Sequence, residues 1–194
     1  MRIIAATKNK GKIKEIKSIL SDYDILSMEE IGIDIDVNED ADTFEGNAIK
    51  KAVDIMKACG EITIADDSGL VVEALGGEPG VYSARYSGQH GNDIENNLLV
   101  LKKMEGIKNR NAKFVCAMAA AFPDGRQCCV KGEFYGEIGF EMKGDGGFGY
   151  DSIFYLPEYG QTSAEISADE KNKISHRASA LQKLKVKLNE MLKD

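Results

Sequence analysis

Positive charge is in short supply: the 194 residues carry 25 lysines and arginines against 32 aspartates and glutamates, a formal net charge of −7. A protein that grips a polynucleotide by neutralising phosphates carries the opposite balance, so no nucleic acid polymer is expected as partner. A small anion at one local basic pocket stays compatible, because net charge describes the whole surface and not a site. Long apolar runs are also missing. None approaches the roughly 20 residues needed to span a bilayer, so no membrane association is expected. The stretch from Met1 to Thr7 is too short for a signal peptide and reads as a strand. Histidine is scarce: His90 and His176 give a zinc site few ligands to draw on. The four cysteines, Cys59, Cys116, Cys128 and Cys129, show no C-x-x-C spacing. Cys128 and Cys129 are adjacent on an expected strand and would point to opposite faces. Free, buried thiols in a reducing cytoplasm are the reading that follows. There is no internal repeat and no low-complexity linker.

What is present is enough for one core. With 43% hydrophobic residues, a single domain over residues 1–194 is expected. Arg2 to Thr7 reads as a strand, followed by the lysine-rich turn Lys8-Asn9-Lys10-Gly11-Lys12 and a helix marked by Ile13, Ile16, Ile19 and Leu20. Asp22 to Leu26 is a second strand, and the acidic segment from Asp34 to Asp42 is a loop. Asp42 with Glu45 three residues on predicts a helix start, and Ala48, Ala52, Ile55, Met56 and Cys59 line one face up to Gly60. Ile62 and Ile64 predict a strand that resumes at Leu70-Val71-Val72, with Asp66-Asp67-Ser68-Gly69 between. Asn92 with Glu95 opens another helix, closed by Gly106. Lys113 to Phe122 and Gln127 to Tyr135 form a hairpin about Pro123-Asp124-Gly125-Arg126. A glycine-rich loop, Gly144 to Gly149, precedes a strand from Ser152 to Leu156, and helical pattern runs from about Ser167 to the end. Helices alternating with strands argue an α/β fold, and the hairpin argues a mixed sheet.

Several segments carry chemistry. Thr7 to Lys12 lacks the glycine and the hydroxyl residue of a P-loop, since Ala6 and Ile13 stand at those positions. It still sets lysines and backbone N–H groups at a helix start, which suits either an anion or a solvated lysine turn. Asp66 and Asp67 are costly side by side unless a cation or hydrogen bonds compensate them. Magnesium takes one or two carboxylates and completes its shell with water and phosphate, whereas a capped turn would bond the same side chains to backbone N–H groups. Both readings stay open, and the loop with Glu39, Asp40 and Asp42 could add a second ligand. Asn47, Lys51 and Asp54 share a polar helix face, ordinarily a solvated one. Phe148-Gly149-Tyr150-Asp151 places aromatics and a carboxylate on a loop, where a ring either stacks on a base or tucks into the core. Lys171, His176 and Arg177 cluster where the last helix begins, against the helix dipole, which points to a function.

Six segments taken in order resemble the inosine triphosphate pyrophosphatase family, the Ham1-like pyrophosphatases of non-canonical purine nucleotides. They are Ala6 to Lys12, Thr43 to Ala48, Ala65 to Leu70, Gly80 to Arg85, Gly147 to Asp151 and Ile174 to Arg177, nearly end to end. The resemblance implies hydrolysis of ITP, dITP and XTP to the monophosphate and pyrophosphate. It implies an elongated mixed α/β sheet with flanking helices, two lobes around a substrate cleft, and a homodimer. Carried onto this sequence, Thr7, Lys8, Asn9, Lys10, Gly11 and Lys12 would hold phosphate, with Lys51 adding positive charge. Glu39 and Asp67 would bind Mg²⁺, with Asp67 also the base for the attacking water. Ser68 would contact substrate, and Phe148, Gly149, Tyr150, Asp151, Lys171, His176 and Arg177 would form the base pocket. Two departures bear on rigidity: Gly46 stands where many members have Glu, and Ser152 where many have Pro.

The implied selectivity has a donor–acceptor logic. A 6-oxo purine presents an acceptor where adenine presents an amino donor, and N–H groups of His176 or Arg177 satisfy only the former. Two facing donors leave a buried group unpaired, at about 1–3 kcal/mol. The competing readings are a Maf-like pyrophosphatase with another base pocket and a non-catalytic nucleotide sensor. A haloacid-dehalogenase-type phosphatase fits poorly, since Ser68 and not Asp lies two residues beyond Asp66.

Overall fold

The computed structural model describes residues 1–193. In chain order the elements are β1 (Arg2–Ala5), α1 (Lys10–Ile19), β2 (Asp24–Ser27), α2 (Phe44–Cys59), β3 (Thr63–Val72), α3 (Asp93–Lys103), β4 (Asn111–Ala121), β5 (Gln127–Ile138), β6 (Phe154–Leu156), β7 (Gln161–Thr162), α4 (Ala168–Ile174) and α5 (His176–Met191). The strands form one sheet of order β2-β1-β3-β4-β5-β6-β7. β1 runs parallel to β2 and β3, and β6 runs antiparallel to β5 and β7. The sheet is therefore mixed and carries helices, as the α/β reading expects. Ile3, Ile4 and Ala5 are all fully buried, which suits the inner parallel strand that β1 becomes.

The chain divides into two compact units. One holds residues 1–67, 116–132 and the stretch from His176; the other holds residues 68–115 and 133–175. In the first, Ile3 and Ala5 of β1, Ile16 of α1, Ile64 of β3, Cys116 and Met118 of β4, and Leu181, Leu184 and Leu188 of α5 share a core. In the second, Leu70 and Val72 of β3, Val100 and Met104 of α3, Phe114 of β4 and Phe154 of β6 share another. Phe154 anchors it, with ring centroids 4.4 Å from Phe114 and 5.6 Å from Phe134.

Local chemistry sets most boundaries. Asn9 caps α1 by accepting from Gly11 and Lys12 N–H. Gly60 ends α2 in the left-handed region at φ 69°, and Gly125 turns the β4–β5 hairpin at φ 92°. Asn92 caps α3 through Glu95 N–H, as the sequence pattern predicts.

Three expectations are corrected. The cap of α2 is Thr43 and not Asp42: Thr43 is extended and its Oγ1 accepts from Gly46 N–H at 3.0 Å. The segment Asp66-Asp67-Ser68-Gly69 is not a turn, because β3 runs unbroken from Thr63 to Val72. Its glycine serves close packing: a Cβ on Gly69 would lie 2.3 Å from Ser83 Oγ and 2.6 Å from the Gly80 carbonyl oxygen. The Ser83 hydroxyl accepts from Leu70 N–H and donates to Gly80 O, which ties the 3₁₀ turn Gly80–Arg85 to the strand. Last, the C-terminal helical pattern is two helices, since Ser175 is extended (φ −68°, ψ 158°) between α4 and α5.

Among the described residues no helix is long and apolar enough to cross a membrane. All four cysteines are free thiols, and burial pushes the Cys116 thiol up to about 12, so it stays an unreactive core group. Leu184 is fully buried while Val186 on the same helix is 60% exposed. Urea unfolding of Leu184→Ala should show a loss of about 2–5 kcal/mol, and Val186→Ala a change within about 0.5 kcal/mol.

Candidate active site

The first unit collects charge around β3. Adjacent residues of a strand face opposite ways, so Asp66 and Asp67 enter different surroundings. The Asp66 carboxylate, 2% exposed, pairs through Oδ2 with Lys12 Nζ at 2.8 Å and with Arg177 Nε at 3.5 Å. Its backbone carbonyl accepts from Lys51 Nζ at 2.9 Å. Burial alone would push this carboxyl up; Lys12, Arg177 and Lys51 outweigh it and hold it well below the usual carboxylate range. The Arg177 guanidinium also donates to Glu15 Oε2 at 2.8 Å, and its proton is held more tightly than usual despite burial. Asp66 is thus the hub that joins α1, α2 and α5 to β3.

Asp67 behaves oppositely. Burial, against a hydrogen bond from Asn47 and with the added repulsion of Glu39, pushes its carboxyl up to about 6. Asn47 Nδ2 donates to Asp67 Oδ2 at 2.9 Å. Glu39 comes from the acidic loop and pairs with Lys51 Nζ at 2.5 Å. Lys51 is held protonated by Asp66 and Glu39, in spite of the burial that opposes it. Two carboxylates of one sign, close enough for one to raise the other, are therefore arranged beside a lysine.

Of the candidates in the lysine turn, Lys12 reaches this centre through Asp66. Thr7 Oγ1 accepts from Asn9 N–H, and Asn9 caps Gly11 and Lys12, so the turn is a preformed helix start without an acidic residue in its first turn. Lys8 reaches Asp34 and Asp36 at 2.8 and 2.7 Å, which raises its pKa, while Lys10 lies on the surface. His176 begins α5 and is buried, at a point where a Cβ on Gly132 would lie 2.1 Å from the His176 carbonyl oxygen.

The second unit holds the remaining candidates. Ser68 is half-buried in β3. Asp151, 2% exposed, organises the glycine-rich loop: it accepts from Phe148 N–H at 2.8 Å, from Ser163 Oγ at 3.0 Å and from Lys171 Nζ at 2.5 Å. Lys171 Nζ lies 5.1 Å from the centre of the Phe148 ring, and that ring is 40% exposed. Gly149 is gripped by α3, its N–H donating to Asp93 Oδ2 and its carbonyl accepting from Asn97 Nδ2. The Tyr150 hydroxyl donates to Ser83 O, so this aromatic faces the core while Phe148 meets solvent.

The structure thus brings Lys12, Lys51, Asp67, Glu39 and Arg177 into one group, and Phe148, Asp151 and Lys171 into another. Lys171 pairs with Asp151, and Arg177 with Asp66 and Glu15. Sequence reading passed over Asn47 as surface and gave no role to Glu15, Asp93, Asn97 or Ser83. The signal for Asn47 was its place inside the segment Thr43 to Ala48, which has no charge at that position to explain.

The pattern of the Ham1 family matches residues 3–187. The chain is 47% identical over 197 residues to the dITP/XTP pyrophosphatase of Clostridium tetani, covering 99% of this chain and 98% of the relative. It is 49% identical over 185 residues to the protein of the same name from Bacillus subtilis, covering 93% of each. Among solved structures, the Staphylococcus aureus Ham1 protein superposes with TM-score 0.91 at 42% identity, over 98% of this chain and 100% of that one. A HAM1 protein from Coxiella burnetii superposes with TM-score 0.91 at 38% identity, over 98% and 99%.

The charge hub makes a prediction of its own. Removing one partner of a buried ion group leaves the others uncompensated, so Asp66→Asn should cost about 3–5 kcal/mol in denaturant unfolding. Because the folded carboxyl is depressed, its contribution is present above the unfolded pKa and is lost as pH falls below it. Wild type should therefore lose stability on acidification below about pH 4 more steeply than Asp66→Asn.

Proposed function

The chain belongs to the Ham1 family, and on that premise we propose that it hydrolyses non-canonical purine nucleoside triphosphates such as ITP, dITP and XTP. The products are the monophosphate and pyrophosphate. What carries the reading is Asp67, buried beside Glu39 and within the reach of Lys51 and Lys12, in a chain of this family. A non-catalytic sensor would need no buried carboxylate set beside a second one and the lysines, and the relatives' names favour this reading over a Maf-like specificity.

The donor set fits magnesium. Glu39 and Asp67 would supply the one or two carboxylates that Mg²⁺ takes from protein, and its charge would offset the burial, and the lesser repulsion from Glu39, that raise Asp67. Two protein carboxylates would suffice, since Mg²⁺ ordinarily fills its shell with water and substrate phosphate. Bound Mg²⁺ supplies positive charge that withdraws electron density from the phosphate under attack.

The remaining steps belong to the chain. Lys8, Lys10, Lys12 and Lys51 neutralise the triphosphate, with the N–H groups of Thr7 to Lys12 at the start of α1. The pairs that hold Lys8 are exposed and weak, so a triphosphate displaces Asp34 and Asp36 at little cost. Asp67 orients the water and takes its proton on a carboxylate oxygen as the water attacks phosphorus and pyrophosphate leaves. Ser68 contacts the substrate. The exposed ring of Phe148 offers a stacking face with Lys171 beside it, Asp151 holds that loop in shape, and His176 and Arg177 favour a 6-oxo purine over adenine. The enzyme works as a homodimer in the cytoplasm, where its four thiols stay reduced.

Asp67→Asn should lower kcat by about 10²–10⁴-fold with the fold intact by circular dichroism. A substrate panel should show ITP and XTP ahead of ATP by about 5- to 150-fold in kcat/KM, the equivalent of one unpaired donor; equal turnover of ITP and ATP would overturn the selectivity. Excess EDTA should abolish pyrophosphate release and added Mg²⁺ should restore it, whereas full activity in EDTA would exclude the metal.

A further inference from the structure

Asn47 sits on a helix face that the sequence alone reads as solvated, yet it is 1% exposed. Its amide is bonded at both ends. Nδ2 donates to Asp67 Oδ2 at 2.9 Å, and Oδ1 accepts from the Ala41 backbone N–H at 2.9 Å. The orientation of the amide is dictated by its neighbours: only its NH₂ can meet a carboxylate and only its oxygen can meet an N–H. One side chain on α2 therefore joins β3 to the acidic loop at a point two residues beyond Glu39.

Lys51 already holds the Glu39 side chain itself through a partly buried ion pair, while the loop's other ion pairs are of a different kind. Lys8 with Asp34 and Asp36, and Lys50 with Asp40, are exposed contacts, which salt screens and which hold a chain only weakly. The Ala41–Asn47 bond is part-buried and carries no net charge on the loop side. Close approach is built in beside it: a Cβ on Gly46 would lie 2.8 Å from Ala41 Cβ, so the Ala41 side chain rests on the bare first turn of α2. The departure at Gly46 thus falls where the loop meets the helix.

We infer that Asn47 is a positioning residue that sets the Glu39 loop against the Asp67 carboxylate and so pre-organises the two carboxylates for a divalent cation. The inference rests on the proposed reading of Glu39 and Asp67 as the metal carboxylates. Asn47 touches neither substrate nor metal in this scheme; it acts through Asp67 on one side and through the loop backbone on the other. Partners of this kind typically alter metal affinity or activity by about 10- to 100-fold when removed.

The two arms can be cut separately. Asn47→Leu keeps the size and loses both bonds; Asn47→Asp keeps an acceptor for Ala41 N–H and loses the donor to Asp67. In Asn47→Leu, Mn²⁺ binding followed by electron paramagnetic resonance without nucleotide should weaken at least about tenfold. Hydrogen exchange at the Ala41 amide should quicken by about fivefold or more. In Asn47→Asp the Ala41 amide should keep its protection, while kcat falls at least about tenfold and KM for ITP stays within about threefold. Wild-type Mn²⁺ affinity and Ala41 protection in folded Asn47→Leu would overturn the inference, and so would wild-type kcat in Asn47→Asp, which decides the matter if the leucine variant does not fold. Glu39→Gln and Asp67→Asn run in parallel separate the two claims. If these bind Mn²⁺ like wild type, the metal reading itself fails; if they lose it and the Asn47 variants do not, the positioning role alone fails.

Discussion

A carboxylate removed from water has to be met by positive charge, and Asp66 meets that condition with groups from three helices. Lys12 comes from the start of α1, Lys51 from α2 and Arg177 from the start of α5. None of these elements can shift along the sheet without leaving an uncompensated buried charge, which costs far more than the loss of an exposed pair. The apolar packing of α1 and α5 on β1, β3 and β4 supplies the bulk of the core. The ion group fixes where along the strand those helices begin, and so where the lysines of the site stand.

Asp67, the next residue, is left with the opposite surroundings because a strand turns successive side chains to opposite faces. Its carboxyl is raised and Asp66's is depressed, although they are neighbours in sequence. This division ties one aspartate to the helices and leaves the other bonded to Asn47 beside Glu39. The second unit uses the same device on a smaller scale. Asp151 is buried, paired with Lys171 and bonded to Phe148 N–H, and the loop that presents the Phe148 ring is shaped around it.

Much of the fold was legible in local chemistry. The hairpin about Gly125, the cap at Asn92, the stop at Gly60 and the apolar stripe of α5 all follow from propensities that act within a few residues. The misreadings occurred where a distant group overrides a local preference. An Asp-Asp-Ser-Gly run favours a turn by itself; here Lys12 and Arg177 make the buried carboxylate tolerable, and Ser83 with Gly80 occupies the space a side chain at Gly69 would need. The Thr43 cap displaced Asp42 by a single residue, a difference that composition does not encode. The break at Ser175 lay within a continuous helical pattern and carried no proline or glycine to mark it.

The candidate site divides in the same way. Motif order by itself was enough to point to the Ham1 family and to nominate the lysine turn, Asp67 and the Phe148 loop, because these are short runs whose residue types stay together in the chain; Glu39, outside those runs, came only with the family resemblance. Which charge answers which was decided only in three dimensions. Arg177 and Glu15 are 162 residues apart, and Asn47 and Asp67 are 20 apart. Coulomb and hydrogen-bond energies depend on distances of a few ångströms and on burial, and both are properties of the packed chain and not of its order. Sequence could therefore nominate Asp67 through the family resemblance, and only the tertiary structure shows that its neighbour Asp66 anchors three helices.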